Sequence, residues 1–408
     1  MYQPATLDLW LAEAANRFGT PAYIYFLGEI ETRRDHLMKT FANRFCLSFA
    51  VKSNPNPALL ERMRELVDYL DISSIGEFRL AIAAGWPAKQ LSFTGPAKKE
   101  EDLLEAIAGG IGEVVLESVH EAHAANRIAA AMEKRQHVLI RLSPQSIPRG
   151  FGDQMAGKPS PFGIDVEDCA DAITTIAALE WLEITGFHIY AGTQCLKADA
   201  VCQNYANFIS IFQDVCEAHD ITPRKLVFGS GLGIPYHDSD RPIDLEAVAA
   251  ETIPLLDQLQ SKPRFTKSQL VLELGRYLVG EAGYFVTMVV SKKKSRGEQI
   301  AICDGGMNHN LPASGHFGMV VHRNYPMHKI GGTGDTEKVN LVGPLCTSID
   351  RLALGVNLPI LESGDLVAIH MCGAYGPSAS PVHFISHGLP REILVDADGM
   401  SEITRSTY

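Results

Sequence analysis

The sequence predicts an α/β protein: a (β/α)8, TIM-like barrel followed by an all-β domain. Two observations carry this. From about residue 22 to 275, short apolar strands alternate with helical stretches. Strands joined through helices run parallel, and about eight such units close most readily into a barrel with its helices outside. After about Glu281 the texture changes to strands and turns with little helix. A chain of 408 residues is also too long for one ordinary domain. The expected boundaries are residues 22–278 for the barrel, and 1–21 with 279–408 for the β domain. An open doubly wound sheet is the alternative. No G-x-G-x-x-G follows the first strand, which weakens that reading.

Taken in order, MYQPATLDLWLAEAANRFG has an amphipathic helix pattern. It carries acids and lacks a basic start with an apolar run, so it is not read as a signal peptide. AYIYF reads as the first strand, with a helix to Arg44. CLSFAV then precedes PALLERMRELV, YLDIS precedes GEFRLAIAAG, and LSFTG precedes KEEDLLEAIAGG. EVVLES precedes HEAHAANRIAAAMEK, and HVLIRLSP precedes a loop and a helix over 166–179. LEITGFHIY leads to a helix over 199–219, KLVFGSG to one over 245–260, and QLVLELG is the last strand. Beyond it, YFVTMVVSKKKSRGEQIAICDGG reads as two strands joined by a Lys/Gly-containing turn.

Composition narrows the function classes. Hydrophobic residues are 46% and charged ones 21%, as in a globular protein. No run of about eighteen apolar residues appears, so no membrane span is expected. Net charge is −12 and Lys292, Lys293 and Lys294 form the only basic run, which argues against nucleic acid as a partner. The eight cysteines include no C-x-x-C pair, so reduced thiols in a cytoplasmic protein are expected. The fourteen histidines show no H-E-x-x-H, and no metal site is expected.

In a barrel, function gathers at the C-terminal ends of the strands. Those ends carry Lys52 in FAVKSNPNPALL, then Asp71, Ser74 and Glu77, Arg141 in LIRLSP, and His188 and Tyr190 in GFHIYAGT. They also carry Gly229-Ser230-Gly231-Leu232-Gly233, and Glu273 with Gly275 and Arg276 in ELGR. A lysine is rarely buried without a partner, but strand-end lysines are common, so Lys52 alone reads as the first solvated residue of a loop; six polar strand ends converging on one rim change that. The glycines expose backbone N–H groups that could cradle a phosphate. A lysine, a phosphate cradle and a carboxylate on one rim suggest pyridoxal phosphate. Lys52 would form a Schiff base with the cofactor aldehyde, and Glu273 would keep the pyridine nitrogen protonated.

FAVKSNPNP, GSGLG, ELGRYLVGEAG, GPLCTSID, SGDLVAIHMCGAYG and SASPVHF together resemble the motifs of fold-type III pyridoxal-phosphate decarboxylases, the group of diaminopimelate and ornithine decarboxylases. The likeness spans nearly the whole chain. Through GFHIYAGTQ, HRNYP and GPLCTSIDRLA the chain looks closest to exosortase-associated decarboxylases and to the branch acting on carrier-protein-bound glutamyl groups or siderophore intermediates.

The resemblance implies a homodimeric decarboxylase of an amino-acid-like substrate, free or bound to a carrier protein. Lys52 would carry the cofactor. Gly231, Gly233, Gly275, Arg276 and Tyr375 would hold its phosphate, with Asp71, Arg141 and Ser230 among the other cofactor contacts. Cys346 would enter the partner's site as a proton donor, and Asp350 and Arg323 would read the substrate. The family's ring-stacking histidine, four residues before Gln194, falls on Tyr190, with His188 two positions earlier on the same face; either could reach the ring. After DGGMNHNLPASG no arginine appears until Arg323, which argues against meso-diaminopimelate. Loops 143–163 and 307–326 would read the substrate's far end, and the first could be a mobile lid. Two alternatives are an amino-acid racemase and a non-catalytic cofactor-binding homologue.

Overall fold

A computed structural model describes residues 4–315 and 323–405 of the chain. These divide into two compact units. One is built from residues 34–233 and 242–275, the other from the remaining described residues: 4–33, 234–241, 276–315 and 323–405.

The first unit is a closed barrel. Its strands are β1 (Cys46–Ala50), β2 (Tyr69–Ile72), β3 (Leu91–Phe93), β4 (Glu113–Leu116), β5 (Gln136–Ser143), β6 (Leu182–Ile189), β7 (Lys225–Gly229) and β8 (Gln269–Leu274). Each pairs in parallel with its neighbours, β4 with β5 and β8 with β1, so no edge remains. The strands read as apolar runs because both faces are buried.

Register decides what faces inward. Ala50 sits opposite Asp71, Asp71 opposite Ser92, and Ser92 opposite Glu113. On the other side Val115 faces Leu139, Arg141 faces His188, Val227 faces Val271, and Gly229 faces Glu273. With a side-chain period of two, these columns share the barrel interior. Val115, Leu139, Val227 and Val271 form its apolar layer. Below it, Lys225 Nζ lies 2.7 Å from Glu113 and 3.8 Å from the Tyr69 ring centroid. Above it stand Asp71, Thr94, His188 and Glu273, and the void among all these is about 10 Å3, no room beyond one water.

Two helices begin with the same local device. Ser74 caps Ile75–Ala83 by accepting from the Glu77 N–H at 3.1 Å, and Glu77 accepts from the Ser73 N–H at 2.7 Å. Ser118 caps Val119–Ala131 likewise, while Glu121 accepts from the Glu117 N–H at 2.8 Å. Both are S-x-x-E capping boxes. Ser74 and Glu77, read from sequence as rim residues, therefore work as a helix cap.

The second unit is mainly strands. Gly283–Ser295 and Glu298–Cys303 form the expected hairpin, turning at Arg296 and Gly297 with positive φ. Thr336–Val342 pairs in parallel with Glu298–Cys303 and antiparallel with Arg351–Pro359. One expectation is corrected here. Ala22–Phe26 is no barrel strand: it runs antiparallel to Gly283–Ser295 and parallel to Arg391–Asp396. Helix Pro4–Phe18 packs Leu7, Leu11, Ala14 and Ala15 against the same sheet. The boundary thus falls after residue 33 rather than at 22. A fully apolar strand followed by a helix imitates a β/α unit, because such a run does not encode its partner. The tyrosine hydroxyls do find partners in this unit: Tyr23 donates to the His309 carbonyl at 2.7 Å and Tyr25 to Glu392 at 3.1 Å.

Candidate active site

Lys52 follows β1 in a single helical turn, Val51–Ser53, closed by the prolines at 55 and 57. Its side chain is 41% exposed and its Nζ lies 3.7 Å from Asp71 Oδ2 and 5.8 Å from the Tyr190 ring centroid. Asp71 is buried and accepts from Thr94 Oγ1 at 2.6 Å. Burial, and then the charge of Glu273, push its carboxyl up to about 8. Glu273 is buried too, yet its hydrogen bond to His188, 3.0 Å from Nε2, and the charges of His188, Lys52 and Arg141 outweigh desolvation. They hold it below the usual carboxylate range. Two neighbouring carboxyls are thereby pushed apart, one towards its acid form and one towards its anion.

His188 turns into the barrel to hold Glu273, while Tyr190 lies over Gly229, where an added Cβ would meet its ring. Arg141 does not reach into open space. Its guanidinium donates to both oxygens of Glu117 at 3.0 and 3.1 Å and to the Tyr190 carbonyl at 3.4 Å. Glu117 was missed in the sequence. It ends the inward column Glu113, Val115, Glu117, and that period was the available signal. Burial would raise its pKa, but Arg141, Lys98 and the Gly163 and Gly95 amides bring it below the usual value.

The glycine loop is only partly the cradle expected. Gly231 is left-handed, φ +66°, and a Cβ there would meet Phe151 at 2.5 Å. The Ser230 N–H, however, donates to the Glu273 carbonyl at 3.0 Å, and the Gly233 N–H to the Cys195 carbonyl at 2.9 Å. Those two amides are therefore corrected from anion donors to loop ties. Gly275 packs against Ser53, beside Lys52. Loop 143–163 is tied down, not a loose lid. Asp153–Gln154 pairs with Gly192–Thr193, the Met155 N–H donates to the Ala191 carbonyl at 2.8 Å, and Phe151 is buried.

In the second unit, Arg276 and Tyr375, expected together, are together. The Arg276 guanidinium lies 5.0 Å from the Tyr375 ring centroid and donates to Tyr236 Oη at 3.1 Å. Cys346 is exposed. Asp350 is corrected. It is 3% exposed and accepts from the Met307 and Leu345 N–H groups at 2.7 and 2.8 Å, so it ties two loops rather than facing a substrate. Arg323 donates to Asp240 at 2.8 Å and Ser239 at 2.6 Å. Of loop 307–326, residues 316–322 lie outside the described residues.

The barrel mouth fits pyridoxal phosphate. An amine stands accessible at a strand end, and the buried Asp71 Oδ2 and His188 Nδ1 have no hydrogen bond among the described residues.

A barrel carrying an accessible lysine above a buried histidine–carboxylate pair, with a separate β unit, is the frame of a pyridoxal-phosphate-dependent enzyme. The family model for the pyridoxal binding domain of pyridoxal-dependent decarboxylases matches residues 27–280, and the chain belongs to that family. It is 34% identical over 395 residues to the L-glutamyl-[BtrI acyl-carrier protein] decarboxylase of Niallia circulans, covering 95% of this chain and 91% of the relative. It is 31% identical over 390 residues to the diaminopimelate decarboxylase of Aquifex aeolicus, covering 95% and 89%. The crystal structure of Helicobacter pylori diaminopimelate decarboxylase complexed with L-lysine superimposes with a TM-score of 0.86 at 25% identity, covering 97% of this chain and 96% of that one. The protein is a pyridoxal-phosphate-dependent decarboxylase of amino-acid-like substrates; the racemase alternative finds no support among these relatives.

Proposed function

We propose that Lys52 tethers the cofactor and that the substrate is an amino-acid derivative, a carrier-bound glutamyl group first among the candidates. The observation that carries the lysine's role is its position: the end of β1, exposed, with Asp71 3.7 Å from Nζ. When bound, pyridoxal phosphate supplies an electron sink for the pair left behind as carbon dioxide departs. The chain's own residues then do the rest. Asp71, pushed towards its acid form by burial and by Glu273, adds little negative charge beside Lys52. Glu273, kept anionic and oriented by His188, holds a proton on the pyridine nitrogen. Tyr190, the half-buried ring nearest Lys52 Nζ, is the better placed of the two stacking candidates. Gly231 and Gly275, in the barrel unit, keep the phosphate role that the resemblance assigns them. Cys346, exposed on its loop, is proposed to donate the closing proton in the partner's site of a homodimer.

The substrate class rests on two supports. The glutamyl-carrier decarboxylase is 34% identical, and the Aquifex diaminopimelate decarboxylase 31%. The arginine whose position speaks against meso-diaminopimelate, Arg323, is already held by Asp240 and Ser239. A relative named 2-[(L-alanin-3-ylcarbamoyl)methyl]-2-hydroxybutanedioate decarboxylase, 27% identical, makes such siderophore-type precursors the second panel. Carbon dioxide release from free glutamate, carrier-tethered glutamyl, diaminopimelate and that precursor class, compared side by side, tests this. Equal turnover of free and tethered glutamyl groups, or preference for diaminopimelate, would refute it. Lys52→Ala that keeps both the cofactor absorbance and turnover would refute the tether.

A further inference from the structure

We propose that Glu117 is a positioning residue that sets the barrel mouth, acting through Arg141. The proposal rests on the reading above that Tyr190 faces the cofactor.

Glu117 stands at the end of β4 with a 3% exposed side chain, and everything it touches lies within the barrel unit. Its two oxygens accept four hydrogen bonds from three donor groups. The Gly95 N–H, just past β3, reaches Oε1 at 2.7 Å, and the Gly163 N–H, at the end of loop 143–163, reaches Oε2 at 2.8 Å. Arg141, on β5, reaches both at 3.0 and 3.1 Å. A carboxylate has about four acceptor sites, so its capacity is filled. Arg141 passes the constraint on. Its guanidinium lies 4.8 Å from the Phe162 ring centroid and donates to the Tyr190 carbonyl.

A second layer holds the clamp. The Glu117 N–H donates to Glu121, which pairs with Lys98. The Lys98 side chain is 1% exposed, and its Nζ donates to the Gly95 and Val115 carbonyls at 2.8 Å each. A buried charge set of this completeness is costly to assemble and strongly directional once assembled. One side chain thus fixes three strand ends, one long loop and the backbone that carries the Tyr190 ring. A neutral amide has a single acceptor oxygen and cannot accept all four of these hydrogen bonds.

The test compares Glu117→Gln with Glu117→Asp, which keeps the charge but is one methylene shorter. Amide hydrogen exchange of the purified protein, with and without pyridoxal phosphate, is read first. Both variants are expected to speed exchange across residues 143–163 about tenfold or more. The circular-dichroism band of bound pyridoxal phosphate is read second and is expected to weaken. On the best substrate of the panel kcat is expected to fall about 10²-fold, with KM within about threefold, as misplacement near 1 Å would give. In an Arg141→Gln background, Glu117→Gln is expected to add less than about twofold. Should Glu117→Gln not fold, the charge-retaining Asp variant carries the same readings. Wild-type exchange and an unchanged dichroism band would overturn the clamp, as would substitutions whose effects simply multiply. Full turnover in Lys52→Ala would overturn the proposed function instead, and the exchange measurement without cofactor still decides the clamp.

Discussion

Asp71 is the residue whose chemistry departs furthest from its composition. An unfolded aspartate titrates near about 4; here burial and Glu273 move it to about 8. The folded state therefore binds the proton more tightly, and the contribution to stability is complete below pH ~4 and lost as pH rises towards 8. Across that window the slope is at most about 1.4 kcal/mol per pH unit. Asp71→Asn should flatten the fall in denaturation midpoint between pH 5 and 8 in cofactor-free protein. An equally steep fall would show that Asp71 is ionised throughout. Gly231 supplies a second prediction at this scale. Gly231→Ala should lose about 2–4 kcal/mol, left-handed strain plus collision with Phe151. Gly110→Ala, also left-handed but open, should lose only about 1–2 kcal/mol. Equal losses in urea unfolding would remove Phe151 from the explanation.

At the scale of elements, the two S-x-x-E caps make a testable pair. Ser74→Ala and Ser118→Ala should each destabilise by about 1 kcal/mol. The Ser118 change should also loosen Glu121, and with it the Glu117 N–H. If the Ser118 variant shows no more hydrogen exchange near residue 117 than the Ser74 variant, the two caps are local only. The helices themselves are legible in the residue pattern alone. PALLERMRELV, HEAHAANRIAAAMEK and the helices at 198–218 and 245–261 lie where their apolar periods put them, within a few residues. Ala22–Phe26 was not legible as to partner, since its burial on all five positions carries no alternation.

For the barrel as a whole, the charged floor sets a stability term separate from the mouth. Lys225→Met leaves Glu113 buried with only Ser92 Oγ, at 2.9 Å, to satisfy it. The loss should be about 3–5 kcal/mol, whereas the double change with Glu113→Leu should recover most of it. Cofactor affinity should hold in the double variant, because the apolar layer separates floor from mouth. A cofactor loss there would mean the layers are coupled.

Composition, the strand–helix alternation and the lysine with its glycines were enough to determine the cofactor class and the barrel, since period and residue type act locally. Asp71, His188, Tyr190 and Glu273 could be named for the same reason: each continues an alternating column to a strand end. What those groups touch is decided only by the folded chain. The closed barrel brings Glu273 to His188 across the intervening strand β7, Arg141 to Glu117 from the adjacent strand, and the Gly233 amide to the Cys195 carbonyl between two loops. Asp350 changed meaning in the same way, from substrate reader to loop tie. A hydrogen-bonding group has the same capacity in any sequence; which partner fills it is fixed by residues tens of positions away, brought within about 3 Å by the closed sheet.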